Sequence, residues 1–167
     1  MIFSRIIYQN IKKYRWVWFL AMIVVVGIFF RAYHFSDWTH FELDQARDAR
    51  VIDAALEGSV LDLPLLGPKA GGTFLRLGLG FYWLEYVGAL LFGGSVIGSA
   101  ALVALTSVFS IVLFYLITKR FFLSSFTLIL TLLFSVSAFL VLYGRFAWNP
   151  NFLPFFSLLG FYALLRA

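Results

Sequence analysis

The stretch GSAALVALTSVFSIVLFYLI, residues 98–117, contains no charged residue and ends two positions before Lys119 and Arg120. An α-helix rises about 1.5 Å per residue, so such a stretch is long enough to cross a hydrocarbon core of about 30 Å. The whole chain of 167 residues is 62% hydrophobic and 13% charged, against about 25% charged residues in soluble domains. The sequence therefore predicts an all-α, polytopic membrane protein.

Three further apolar runs predict three more spans. The run WVWFLAMIVVVGIFF follows a basic N-terminus and has no A-x-A cleavage site, so we expect an uncleaved first span near 15–34. Together with 98–118, the runs near 123–143 and 152–166 complete a set of about four transmembrane helices. We expect residues 1–167 to form a single transmembrane module.

Charge predicts which side of the membrane each segment faces. Basic residues without an acid precede the first run, whereas all eight acids lie between Asp37 and Glu85. The positive-inside rule then predicts a multi-pass protein of the plasma (inner) membrane, with a cytoplasmic N-terminus and an external loop, 35–97, on the periplasmic or extracellular side. The apolar segment 81–93 is short and carries Glu85, so we expect a juxtamembrane or re-entrant helix there rather than a span.

The acidic stretch FELDQARDARVIDAAL, residues 41–56, is expected to form a helix at 44–58, with Asp44 as its N-cap and Gly58 at its end. Asp44 and Asp48 are one turn apart and share a face with Arg47. One interpretation is an amphipathic helix on the membrane surface with solvated charges. The other is a site in which a carboxylate accepts a proton or binds a divalent cation, while Arg47 binds a phosphate.

Two other segments carry candidate binding residues. The glycine-rich loop LLGPKAGGTFLRLGLGFYW, residues 65–83, is not a phosphate-binding Walker loop, but Lys69 and Arg76 are either lipid-phosphate contacts or basic residues that snorkel to the interface. The turn RFAWNPNF, residues 145–152, is either an interface cap or a second wall of the site. Its candidate contacts are Arg145, Trp148 and Asn149. Scattered basic residues do not favour nucleic acid as a partner, and the absence of cysteine excludes disulfides and cysteine zinc sites.

These segments together resemble the GT-C glycosyltransferases, specifically the bacterial relatives of the protein O-mannosyltransferases (glycosyltransferase family 39). The resemblance is carried by FELDQARDA after the first span, by the GP…G-x-G-FYW loop and by RFAWNPNFLPFF after the third span. Many relatives have Asp-Glu where this chain has Asp44-Gln45, and Gly-Pro where it has Leu79-Gly80. Family enzymes have more spans, so the resemblance implies that 1–167 is the N-terminal part of a longer chain.

The resemblance implies a transferase that moves a sugar from a polyprenyl-phosphate donor to an acceptor hydroxyl or amine of a glycan, lipid or protein on the external face. Asp44 takes the place of the family's catalytic acidic residue, with Asp48 as its helper. Both are candidate ligands of a divalent cation (Mg, Mn or Zn). Arg47, Lys69 or Arg145 would stabilise the departing phosphate. The alternative is a non-catalytic polytopic membrane protein, such as a transporter or flippase component, which would be expected to carry ionisable residues inside its spans.

Overall fold

The computed structural model describes residues 2–71 and 73–167, with side chains from Arg15 onward. Regular structure in these ranges is helical, and no strand occurs among the described residues. Two short 3₁₀ helices lie at Val60–Asp62 and Asn149–Phe152. The α-helices, in chain order, are α1 (Ile2–Ala32), α2 (Leu43–Glu57), α3 (Gly80–Phe92), α4 (Ser95–Thr118), α5 (Ser124–Val136), α6 (Ala138–Tyr143) and α7 (Leu153–Leu164).

Two helices in the described part of the chain are long and apolar enough to cross a membrane: α1 over Arg15–Ala32, and the 24-residue α4. At about 1.5 Å per residue, α4 is about 36 Å long. The expected third span, 123–143, is divided into α5 and α6, and the expected fourth, 152–166, contains the 12-residue α7. The fold is thus all-α, with two helices of spanning length and several shorter apolar helices.

The division between α5 and α6 lies at Ser137, whose ψ of 119° is extended rather than helical. Such a break leaves carbonyl groups at the end of α5 without their helical partners. A buried guanidinium from α1 takes one of them, because Nη1 of Arg31 donates to the carbonyl of Ser135 at 2.9 Å. The same Ser135 donates its hydroxyl to the carbonyl of Ile23 on α1 at 3.1 Å. Two hydrogen bonds to α1 therefore hold the interrupted end of α5, and one of them satisfies a carbonyl group of α5 itself.

Helices α3 and α4 form a close hairpin. Gly93 and Gly94 connect them with φ of +81° and +82°, a left-handed backbone that glycine adopts without strain. A Cβ on Gly98 would lie 2.7 Å from Cα of Ala89, so the two backbones are in contact where both residues are small. Gly98 is therefore a packing residue between α3 and α4, whereas Gly94 belongs to the turn before α4.

Helix α4 is the central element, in contact with α1, α2, α3, α5 and α7. Its N-terminal half packs Leu102 and Val103 against apolar side chains of α2 and α3, including Ile52 and Phe81. The C-terminal half packs Ile111 and its neighbours against α1 and α5. The acidic helix α2 is thereby held beside the N-terminal half of α4, and α1 packs beside its C-terminal half.

The basic residues that follow α4 lie beside the end of α7. The guanidinium of Arg120 donates to the carbonyl of Leu165. Arg120 and Arg166 both lie over the ring of Tyr162, at 6.0 and 5.6 Å from its centroid. The turn between α4 and α5 and the C-terminal end of α7 are consequently at the same end of the helix assembly.

Candidate active site

Helix α2 begins one residue earlier than expected, and Asp44 is not its N-cap. Glu42 has that position, with extended backbone at φ −129°. The backbone N–H of Glu42 donates to Oε1 of Gln45 at 2.9 Å, so a side chain inside the first turn binds back to the cap. Asp44 lies within the first turn, where a carboxylate interacts favourably with the helix dipole. The site therefore begins with an acid whose side chain is not used for capping.

Arg47 joins the two aspartates predicted for the site. Its Nε and Nη2 donate to both oxygens of Asp48, at 2.8 and 2.9 Å, and its Nη1 donates to Oδ1 of Asp44 at 2.8 Å. Asp48 is buried, with 1% of its surface exposed, whereas about half of the Asp44 side chain is accessible to solvent. The predicted trio is brought together, with one carboxylate inside the protein and the other at its surface.

A third partner of Asp48 comes from α3. The buried hydroxyl of Tyr82 donates to Oδ1 of Asp48 at 3.1 Å. Burial, followed by the negative charge of Asp48, raises the pKa of Tyr82 to about 12. The hydrogen bonds from Arg47 to Asp48 raise the pKa of the guanidinium above its ordinary range. Both partners of Asp48 are accordingly held in their protonated, hydrogen-donating forms.

Glu85 is a buried acid beside the predicted trio, and its sequence position predicted only that 81–93 is not a span. It lies one helical turn after Tyr82 on α3, it is 2% exposed, and its Oε2 has no hydrogen-bond partner among the described residues. Burial, reinforced by the charge of Asp48, raises the pKa of Glu85 to about 9. The acid is therefore neutral at pH 7 in the folded chain. A signal for it was present in the sequence, since a single acid in an otherwise apolar helix is unusual.

The remaining basic candidates, Lys69, Arg76 and Arg145, have other surroundings. Lys69 and Arg76 are exposed and face each other across a short hairpin. Arg145 is buried and donates to the carbonyls of three residues at and after the end of α1, at 2.8, 2.7 and 3.0 Å. Burial lowers the pKa of Arg145. The carbonyl groups that Arg145 binds belong to Phe30, Tyr33 and His34.

Four cavities lie beside the candidate residues. Arg145 lines a cleft of about 970 Å³ whose walls are mostly aromatic, with His40 and Phe41 on one side. Residues 39–41 also line the small space beside Glu85, so the same short segment separates the aromatic cleft from the buried acid. Trp148 lines a different cavity, of about 190 Å³, and Asn149 lines a groove of about 680 Å³ that is also bordered by α3 and α7.

The carboxylates do not fit a divalent cation as they are arranged here. The side chain of Arg47 already binds three of the four oxygens of Asp44 and Asp48 with a positive charge, where a cation would need those oxygens free. Within the residues that the structure describes, no group of three His, Cys, Asp or Glu side chains converges.

A second buried guanidinium was not anticipated from the sequence. Arg31 is 1% exposed and donates to the hydroxyl of Ser107 at 2.8 Å and to the carbonyl of Gly27 at 3.1 Å, besides its bond to Ser135. Its Nη2 has no partner among the described residues. An ionisable residue inside a bundle of apolar helices is a feature to be explained by any proposed function.

Comparison with known proteins finds no match to this chain among the protein-family models, the curated proteins or the solved structures.

Proposed function

We propose that the chain is the N-terminal part of an integral membrane glycosyltransferase of the GT-C type, which transfers a sugar from a polyprenyl-phosphate donor to an external acceptor. The observation that carries this proposal is the pair of aspartates around Arg47. Asp48 is buried and fixes the guanidinium, and Arg47 in turn orients Asp44, whose carboxylate is accessible at the start of α2. An oriented, accessible carboxylate beside a fixed positive charge is the arrangement that glycosyl transfer needs.

In the proposed reaction, Asp44 accepts the proton of the acceptor hydroxyl or amine as that group attacks the anomeric carbon of the donor. The bond between the anomeric carbon and the phosphate oxygen breaks, and its electron pair leaves with the lipid phosphate. Arg47 has N–H groups beyond those bound to the aspartates, and these stabilise the negative charge of the leaving group. The lipid-linked sugar donor binds, in this proposal, in the aromatic cleft that Arg145 lines.

The membrane topology belongs to the same proposal. Four membrane passages would place the N-terminus and the basic turn after α4 in the cytoplasm, and the acidic helix α2 outside. Two observations support it: the turn after α4 lies beside the end of α7, and α2 packs beside the opposite half of α4. Single cysteines are suitable probes because the chain has none. In intact cells, an impermeant thiol reagent is expected to label Leu43→Cys but not Leu123→Cys, both exposed positions; labelling of both or of neither would overturn the topology.

The catalytic proposal is tested with the full-length protein in vesicles, supplied with a polyprenyl-phosphate sugar and a soluble acceptor. Asp44→Asn is expected to lower the rate of sugar transfer by at least a hundredfold, the contribution typical of a general base. Asp53→Asn is the matched control, since Asp53 is an exposed carboxylate on the same helix. Equal rates for Asp44→Asn and Asp53→Asn would show that Asp44 is not the base.

The second candidate function is a non-catalytic transporter or flippase component. One observation favours it: Arg31 is buried where the α5–α6 helix is interrupted, and ionisable groups at broken membrane helices are typical of transport pathways. If this function holds, Arg31→Gln abolishes movement of a labelled lipid-linked sugar across vesicle membranes, while Asp44→Asn has no effect on it. If the chain is a transferase, Asp44→Asn instead lowers the rate of sugar transfer.

A further inference from the structure

A short hairpin projects between α2 and α3. The N–H of Gly67 donates to the carbonyl of Leu77 at 3.0 Å, and the N–H of Leu77 donates to the carbonyl of Pro68 at 2.9 Å. Nearer the tip, the N–H of Ala70 donates to the carbonyl of Leu75 at 2.9 Å. These bonds pair two antiparallel segments within 67–77 and give the loop a defined shape.

Local sequence explains why the hairpin closes. A Cβ on Gly67 would lie 2.5 Å from the carbonyl oxygen of Gly78, so the two segments approach too closely at their base for any other residue. At the tip, the hydroxyl of Thr73 donates to the carbonyl of Ala70 at 2.6 Å and accepts the N–H of Leu75 at 3.2 Å. The buried Leu63, four residues before Gly67, joins the core that α2 and α3 share. The hairpin is thus anchored at its base and extends away from the helices.

Large apolar side chains are exposed on this hairpin and on the segment leading to it. Phe74, at the tip, is 92% exposed, and Leu65 is 84% exposed, with Leu66 and Leu75 also accessible. Apolar groups concentrated at the end of a projecting element are costly in water and mark a surface that meets another apolar phase. Helix α3, which follows directly, carries its own exposed apolar side chains, among them Leu90 and Leu91.

The charge of the hairpin has a single sign. Lys69 and Arg76 face each other in an antiparallel pair, which places both side chains on the same face. No acid occurs between Asp62 and Glu85 in the sequence. Two basic side chains beside an apolar tip are the combination that binds a membrane surface, because the tip enters the acyl region while the cations remain at the lipid phosphates.

We propose that the hairpin 67–77 is a membrane-docking element, with Phe74 and Leu75 inserted into the outer leaflet and Lys69 and Arg76 bound to the phosphates of bilayer lipids. This assigns the two basic residues to the bilayer rather than to a sugar donor. It is independent of catalysis, so its failure and the failure of the transferase proposal are measured in different experiments. As a consequence, the N-terminal end of α3, which follows the hairpin, is held at the membrane surface.

The test uses the full chain in vesicles of phosphatidylcholine and phosphatidylglycerol, with one spin label attached to a single introduced cysteine. Oxygen concentrates in the bilayer and a nickel chelate stays in water, so their collision rates with the label report its depth. The label at Phe74→Cys is expected to collide with oxygen and to be shielded from nickel. The label at Asp53→Cys, an exposed position on α2, is the matched control and should be accessible to nickel.

Each other outcome overturns the proposal. If the labels at positions 74 and 65 both meet nickel as readily as the label at position 53, the hairpin lies in water. If the label at position 74 is shielded from both oxygen and nickel, protein rather than lipid covers it. A label at Leu65→Cys repeats the measurement with Phe74 intact, which separates a wrong proposal from the loss of an anchoring side chain.

The role of the two basic residues is tested separately. Replacing both, as Lys69→Gln with Arg76→Gln, should move the label at Leu65→Cys toward the aqueous phase in anionic vesicles, and should have a smaller effect in pure phosphatidylcholine. Arg50→Gln is the control for the loss of a positive charge outside the hairpin, because Arg50 is exposed on α2. An equal shift for Arg50→Gln, or no shift for the double variant, would exclude lipid phosphates as the ligands of Lys69 and Arg76.

Discussion

Burial of the Glu85 carboxyl couples the folding of this chain to pH. The folded chain retains a proton on Glu85 up to a pKa of about 9, whereas the ordinary value is 4.5. A group whose pKa is raised by folding contributes stability that is complete below the unfolded value and is lost as pH rises through the folded value. The free energy of unfolding should therefore fall between about pH 4.5 and about pH 9. The variant Glu85→Gln, which has a similar shape and no titration, should lack this contribution.

The size of the effect follows from the two pKa values. Each pH unit in the window is worth about 1.4 kcal/mol, so the penalty of keeping Glu85 folded reaches roughly 3 kcal/mol near pH 7 and roughly 6 kcal/mol above pH 9. Glu85 is almost completely buried, so solvent does not screen the effect substantially. At pH 8, Glu85→Gln is expected to be more stable than the unmodified chain, and at pH 4 the two should be similar.

The measurement is thermal unfolding in detergent micelles at one-unit steps from pH 4 to pH 9. The difference in melting temperature between Glu85→Gln and the unmodified chain should grow steadily with pH. Glu57→Gln, which removes an exposed carboxylate at the end of α2, should follow the unmodified chain throughout. Parallel pH profiles for Glu85→Gln and the unmodified chain would show that Glu85 is ionised in the folded state, and the reasoning from burial would be refuted.

Three further predictions concern stability and are measured by thermal unfolding at pH 7. Tyr82→Phe removes the buried hydroxyl that binds Asp48 and should cost about 1–2 kcal/mol; no loss would mean that Arg47 alone satisfies the carboxylate. Gly98→Leu overpacks the contact between α3 and α4 and should cost about 1–3 kcal/mol. Gly160→Leu, at a glycine with open space around it, should be close to neutral, and equal losses at the two glycines would contradict the packing argument. Arg145→Lys retains the charge but not the fork that reaches three carbonyls, so a loss of about 2–4 kcal/mol is expected, and unchanged stability would exclude a capping role.

The sequence predicts well those features that depend on neighbours along the chain. Helix α2 was expected at 44–58 and lies at Leu43–Glu57, because its apolar stripe and the following glycine are local signals. Helix α3 was expected at 81–93 and lies at Gly80–Phe92 for the same reason. The N-cap was predicted at Asp44 but lies two residues earlier, at Glu42. Aspartate is a preferred N-cap residue and glutamate is not, so the residue types favoured the wrong position.

Features that depend on distant contacts were not predictable. Nothing in SVSAF, residues 135–139, resembles a helix break, since proline and glycine are both absent. The break is stabilised by Arg31, which is more than a hundred residues away in sequence. Arg145 likewise binds backbone carbonyl groups that are accessible to it only because α1 ends beside it. A pattern of hydrophobicity identifies an arginine near the end of a span, but it does not say which backbone the arginine will bind.

The distinction between Asp44 and Asp48 shows how burial separates two identical side chains. Both lie on the same face of α2 one turn apart, and the sequence alone gives no physical reason why either should be the more exposed. Asp48 is buried beneath the hydroxyl of Tyr82 on α3, whereas the side chain of Asp44 remains in contact with solvent. The carboxylate of Asp48 is buried and both of its oxygens are already bound by Arg47, so an acceptor molecule cannot reach it. If this site performs proton transfer, Asp44 is therefore the group that moves the proton, and Asp48 is the group that keeps Arg47 in position for it.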